Sequence, residues 1–125
     1  MIYLSGYKRD KMKYVLLMIS AGILLSAQCK KEVDAAIPVC IQQKIDSIKG
    51  QPKWNPPAEV KEYRYNGKRV FLFSADCCDQ YNLLVDAGCN LLCAPSGGFT
   101  GKGDGACTDF NEKAVFIREV WKDER

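Results

Sequence analysis

Val60-Lys61-Glu62-Tyr63-Arg64-Tyr65-Asn66-Gly67-Lys68-Arg69-Val70-Phe71-Leu72-Phe73 is a pair of strand-like runs around an Asn-Gly dipeptide. Asn and Gly both tolerate positive φ, so the dipeptide predicts a two-residue type I′ turn and an antiparallel hairpin. Tyr63 and Tyr65 share one face of the first run, and Val70 and Leu72 share one face of the second. Downstream, Tyr81-Asn82-Leu83-Leu84-Val85, the turn-forming Asp86-Ala87-Gly88-Cys89-Asn90 and Leu91-Leu92-Cys93 predict a second hairpin over residues 80–94. Residues 114–121, rich in β-branched and aromatic side chains, read as a last strand.

Upstream, Ile37, Ile41, Ile45 and Ile48 recur at helical spacing with Cys40 on the same side, and Gln42, Gln43, Asp46 and Lys49 lie opposite. This predicts one amphipathic helix over residues 37–49, with Pro38 suited to its first turn and Gly50 to its stop. Gln51-Pro52-Lys53-Trp54-Asn55-Pro56-Pro57 breaks regular structure by its prolines and crosses from helix to sheet, with Trp54 expected to seal the edge of the core. The expected fold class is α+β: one N-terminal helix packed on an antiparallel sheet of about five strands, stapled by disulfides.

The other end of the chain sets the expected address. Lys8, Arg9, Lys11 and Lys13 precede an apolar run from Val15 to Leu25, and Leu24-Leu25-Ser26-Ala27-Gln28-Cys29 follows. A basic start, a short apolar stretch and small residues before a cleavage point make a secretory signal. The run is shorter than the roughly 20 apolar residues of a spanning helix. The segment before Cys29 is similar to a lipobox, with Gln28 where Gly, Ala or Ser is usual. Residues 1–28 are thus expected to be a lipoprotein signal, with lipidation at Cys29, residues 29–36 a flexible tether, and residues 37–125 a small cysteine-rich α+β domain. A diacylated cysteine holds a protein stably at a membrane, where a single chain does not.

The formal charge of +3 comes from the signal. Residues 1–28 hold four of the 18 basic residues and one of the 15 acidic ones, which leaves 14 of each beyond them. No basic surplus remains to neutralise phosphates, so no nucleic-acid partner is expected. With Cys29 set aside, Cys40, Cys77, Cys78, Cys89, Cys93 and Cys107 remain. An even number in an oxidising compartment reads as a disulfide framework, a staple that small domains often need. Of the fifteen pairings that six cysteines allow, those joining the neighbours Cys77 and Cys78 in an eight-membered ring are set aside as strained, leaving twelve.

Residues 94–110 hold the unusual composition. Gly97, Gly98, Gly101, Gly103 and Gly105 lie within nine residues, alongside Lys102 and Asp104. Such a run implies a backbone path closed to most residues and makes these seven positions a candidate ligand loop. It fails as a P-loop, because three residues rather than four separate Gly97 from Gly101-Lys102 and a glycine follows the lysine. The plainer reading is a tight loop pinned by Cys93 and Cys107. Asp104 and Asp109 are weak candidates for a calcium site whose spacing does not match an EF-hand. A zinc site has only Cys89 and Cys93 at near-ribbon spacing. Cys-x-x-Cys is absent, though Cys77-Cys78 keeps a thiol-redox role open. The chain has no histidine, which removes Ser-His-Asp and Cys-His nucleophile systems. No enzyme activity, cofactor or resident metal is expected.

Cys77-Cys78-Asp79-Gln80-Tyr81-Asn82, the run from Cys93-Ala94-Pro95-Ser96-Gly97-Gly98-Phe99-Thr100 through Gly101-Lys102-Gly103-Asp104-Gly105, and Cys107-Thr108-Asp109-Phe110 carry a family likeness. Over most of the chain beyond the signal, the protein resembles an uncharacterised family of small Bacteroidota lipoproteins. The resemblance implies export and a compact domain, and it brings no catalytic residues. The expected function is an exported envelope lipoprotein, favoured for the outer membrane, bearing a binding or structural module with a protein or glycan partner. The alternatives are a thiol-redox or other enzyme-like module using Cys77-Cys78, and a calcium-dependent binding module. Residues 76–81 and the loop 97–105 are the surfaces expected to meet a ligand.

Overall fold

Asn66 and Gly67 take φ of 49° and 74°, the left-handed pair a type I′ turn needs. The turn joins β1 (Glu59–Tyr65) to β2 (Lys68–Phe73), which pair antiparallel from Tyr65↔Lys68 to Val60↔Phe73. This computed structural model describes residues 35–125; the expected signal, Cys29 and the expected tether up to residue 34 lie outside the described residues. The second hairpin is β3 (Tyr81–Asp86) and β4 (Leu91–Gly97). Asp86 organises its turn, the Oδ1 atom accepting from the Gly88 and Asn90 amides at 2.9 Å each. Those bonds and the Asn90 side chain, the larger contribution, hold the Asp86 carboxyl below its ordinary pKa. β5 (Val115–Lys122) returns beside β1, giving a five-stranded sheet in the order β4-β3-β2-β1-β5 with every neighbouring pair antiparallel.

The helix α1 spans Val39–Lys49. It starts two residues later than the periodicity alone predicts, because Pro38 keeps an extended ψ of 141° and serves as the cap. The Pro38 carbonyl accepts from the Gln42 amide at 3.0 Å. Gly50 ends the helix in a right-handed conformation, φ −75°. The stop therefore does not use glycine's freedom, and Pro52 prevents continuation.

Strand alternation divides the sheet into two faces. Val60, Phe71, Phe73 and Val85 form one, and Ile41, Ile45 and Ile48 of α1 pack onto it. Trp54 is partly buried against the same cluster, the sealing position expected of it. Tyr65, Val70, Leu84 and Cys93 form the other face, covered by Phe110 from the short helix α2 (Phe110–Lys113). The rings of Tyr63 and Tyr65 meet Phe110 edge-on at 5.1 and 5.3 Å. This second cover, built from the chain after the glycine-rich loop, extends the expected one-helix architecture. The α+β fold itself is as read from the sequence. Among the described residues no helix is long and apolar enough to cross a membrane.

Among the described residues three disulfides join Cys40 to Cys89, Cys77 to Cys78 and Cys93 to Cys107. The first ties α1 to the β3–β4 turn, and the third pins the glycine-rich loop as expected. The second corrects the sequence reading, which had set aside a bond between neighbours. Cys78 takes a left-handed φ of 45° in this turn, and its side chain is bonded to that of its neighbour.

Among the described residues two acidic side chains are buried, each against arginine. Glu62 is 3% exposed and accepts from Arg69 Nε at 2.6 Å and Arg118 Nε at 2.8 Å. Asp123 is also 3% exposed and is held by both Arg125 Nε (2.9 Å) and Nη2 (2.7 Å). Arg125 Nη1 in turn donates to the Lys49 and Gln51 carbonyls, tying the chain end to the C-terminus of α1. The Arg125 hydrogen bonds hold the Asp123 carboxyl down at about 2 against an ordinary 3.8. A depressed folded pKa contributes stability that is present above the unfolded value and is lost as pH falls through the folded one. Acid unfolding is therefore expected to draw on Asp123 between about pH 4 and pH 2. Asp123→Asn should flatten that part of a stability-versus-pH curve measured by urea titration; an unaltered slope would remove the ion pair from the account.

Candidate functional site

The glycine-rich loop is wired to itself. Gly97 N–H donates to the Gly101 carbonyl (3.2 Å), Gly101 N–H to Gly98 (3.1 Å), Gly103 N–H to Gly97 (3.0 Å) and Asp104 N–H to Ala94 (2.9 Å). These are the donors a phosphate cradle would have to turn outward. Gly97 is required by crowding as well as by its φ of +81°, since a Cβ there would lie 2.5 Å from the Gln80 carbonyl oxygen. Gly98, Gly101, Gly103 and Gly105 share the positive φ. Lys102 and Phe99 stand exposed at the tip, Phe99 at 90%. The loop is thus a clasp over the sheet, and its geometry gives the ligand-loop reading no support.

The candidate calcium ligands are likewise engaged elsewhere. Asp104 accepts from the Ala94 amide (3.0 Å) and the Ala106 amide (2.9 Å). Asp109 takes the Tyr65 hydroxyl and the Lys113 ammonium, the latter at 2.8 Å. Lys113 first and Tyr65 second hold the Asp109 carboxyl below its usual range, and the same hydrogen bond pushes the Tyr65 phenol up. No three His, Cys, Asp or Glu side chains converge among the described residues. All six described cysteines are bonded, so none is a thiolate available to zinc.

The other surface singled out in the sequence, residues 76–81, borders a cleft of about 420 Å³. Its floor is Phe73, Leu83 and Val85 from the helix-side face of the sheet, with Ile48 of α1. Trp54 from the proline-rich crossing and Tyr81 at the start of β3 add two further rings, Tyr81 at 48% exposure. Lys44 and Ser47 of α1 and Ser74, Asp76 and Gln80 of the β2–β3 connection supply the polar rim. The cleft exists because α1 buries Val85 but leaves the start of β3 open, Leu83 staying 43% exposed, and the proline-rich segment contributes Trp54 beside the gap.

The rim is held by backbone bonds that leave its side chains available. Gln80 N–H donates to the Cys77 carbonyl (3.1 Å) and the Gln80 carbonyl accepts from Gly98 N–H (2.9 Å). Ser74 Oγ accepts from the Glu59 amide at 2.8 Å and retains its own hydroxyl proton. Asn82 bridges the connection to β4, accepting from the Ala75 amide (2.8 Å) and donating to Ser96 Oγ (3.0 Å). The Cys77–Cys78 bond closes the turn between the two rim residues Asp76 and Gln80. With one carboxylate, one ammonium, and otherwise neutral donors and acceptors over an apolar floor, the arrangement suits recognition of a small polar molecule with an apolar face.

Sequence reading located the 76–81 turn but missed Lys44, Ser47 and Leu83. Lys44 and Ser47 lie at the margin of the apolar stripe of α1, where a helical pattern alone does not distinguish a solvated residue from one at a cleft mouth. Glu62 was detectable, since it occupies the same strand parity as Val60, Phe71 and Phe73. No curated protein and no solved structure matches the chain. A family model described as a domain of unknown function (DUF6970) matches residues 46–123, which takes in most of α1's second half, the whole sheet, the clasp and every residue of the cleft except Lys44, and the chain belongs to that family.

Proposed function

We propose that this protein is an exported envelope lipoprotein of the Bacteroidota type, anchored to a membrane through Cys29, whose disulfide-stapled domain is a non-catalytic binding module acting through the cleft. The observation that carries the reading is the cleft of about 420 Å³, in which rings and a charge-balanced polar rim stand on a disulfide-braced sheet. A volume in this range is that of small-molecule sites generally. The rim offers no paired carboxylates and, in a chain without histidine, no neutral-pH proton shuttle. Three bonded cysteine pairs in so small a domain support an oxidising compartment, and the signal and lipobox-like segment support export to it.

Intact mass of protein recovered from the membrane fraction tests the address. The expected species lacks residues 1–28, is diacylated at Cys29 and carries three oxidised pairs; an uncleaved, soluble chain with reduced thiols overturns the proposal. One observation favours a second reading, a thiol-redox module: the Cys77–Cys78 bond sits on a turn whose Cys78 is exposed. Mild reductant should then free two thiols in the folded protein, and a bond inert to it removes that reading.

A further inference from the structure

We propose that the cleft binds a saccharide, one pyranose ring or a short oligosaccharide, an inference that rests on the reading of the cleft as a binding site. Two features of the lining select this chemistry. A sugar ring presents an apolar face of C–H bonds and an equator of hydroxyls, and the partly positive C–H hydrogens are attracted to the negative face of an aromatic ring. Trp54 and Tyr81 offer such rings from separate elements above an apolar floor of Phe73, Leu83 and Val85. Around them stand Ser47, Ser74, Asp76 and Gln80, short or neutral groups that can accept and donate to neighbouring hydroxyls.

Charge narrows the class further. Lys44 and Asp76 are the two charged side chains of the lining and balance each other, so the cleft has no net field for a polyanion or polycation. A purely apolar ligand such as an acyl chain would desolvate this polar rim and supply it no hydrogen-bond partner, which carries a cost. A saccharide satisfies both halves of the lining at once. The Gln80 and Tyr81 backbones are fixed by the clasp, because Gly98 N–H bonds the Gln80 carbonyl at 2.9 Å and a Cβ at Gly98 would strike the Tyr81 ring. The recognition groups are therefore preorganised, which lowers the entropy lost on binding.

The test is calorimetric titration of the purified full chain with chitotriose, cellotriose and maltotriose, with trialanine and adenosine as controls, followed in parallel by tryptophan fluorescence. At least one trisaccharide is expected to bind and to perturb the emission. Asp76→Asn, at an exposed turn position, should weaken that binding about tenfold without altering the melting temperature, and Trp54→Leu should weaken it at least as much. Should a control bind in an Asp76-dependent way while the sugars do not, the saccharide inference falls and the binding cleft stands. Should nothing bind, both fall. Sugar binding indifferent to Asp76→Asn and Trp54→Leu would place the site elsewhere and overturn the inference.

Discussion

Replacing Cys40 and Cys89 together by alanine is expected to cost about 4 kcal/mol of folding stability. The bridge spans 49 residues of sequence, from α1 to the β3–β4 turn. On the chain-entropy account, removing it restores to the unfolded ensemble the freedom of a long loop. A domain of this size has on the order of 5–13 kcal/mol in total, so the double variant loses a large share. Equilibrium urea unfolding should show a lower midpoint, with a melting temperature down by roughly 20 °C. Loop length also sets an order among the three bonds. The Cys93–Cys107 bridge spans 14 residues and should contribute about 3 kcal/mol, whereas Cys77–Cys78 closes no chain loop and should contribute little global stability. A loss below about 1 kcal/mol for the first pair would show that α1 docks through its isoleucines alone.

The second large effect is expected at Glu62. Glu62→Ala should destabilise by about 3 kcal/mol, because it removes the buried carboxylate that Arg69 and Arg118 share. Both arginines keep partial access to water, which places the cost at the lower end for a broken buried pair. Glu62→Gln keeps the volume and one acceptor and should cost less. Burial acts to raise the Glu62 pKa, but the Arg69 and Arg118 hydrogen bonds prevail and hold it below the ordinary 4.5. The stabilisation is accordingly present above about pH 4.5 and lost as pH falls through the lower folded value. The wild-type advantage over Glu62→Ala should shrink in acid; an advantage constant from neutral pH to pH 2 would assign the effect to packing instead.

These two sites also mark where sequence reading succeeds and where it ends. The Asn66-Gly67 turn, both hairpins, α1 and the last strand were legible because each depends on residues adjacent in the chain. So was the loop between Cys93 and Cys107, whose glycines all take the backbone conformation their density implied. The short helix α2 was not legible: four residues carry too little periodicity, and Phe110 belongs to the core only because Tyr63 and Tyr65 stand beneath it. Cys77–Cys78 was misread for a similar reason, since the φ of Cys78 is set by the turn around it rather than by its own preference.

Residue order alone determined the hairpins, α1, the last strand, the α+β class and the presence of a cysteine framework, since turn chemistry and alternation act over a few bonds. Which sulfurs meet, which part of β3 α1 leaves uncovered, and how Lys44, Trp54, Asp76 and Tyr81 come to line one cleft were decided by the tertiary structure. Those relations join residues tens of positions apart, and they exist only once apolar burial has fixed α1 and Phe110 on opposite faces of one sheet.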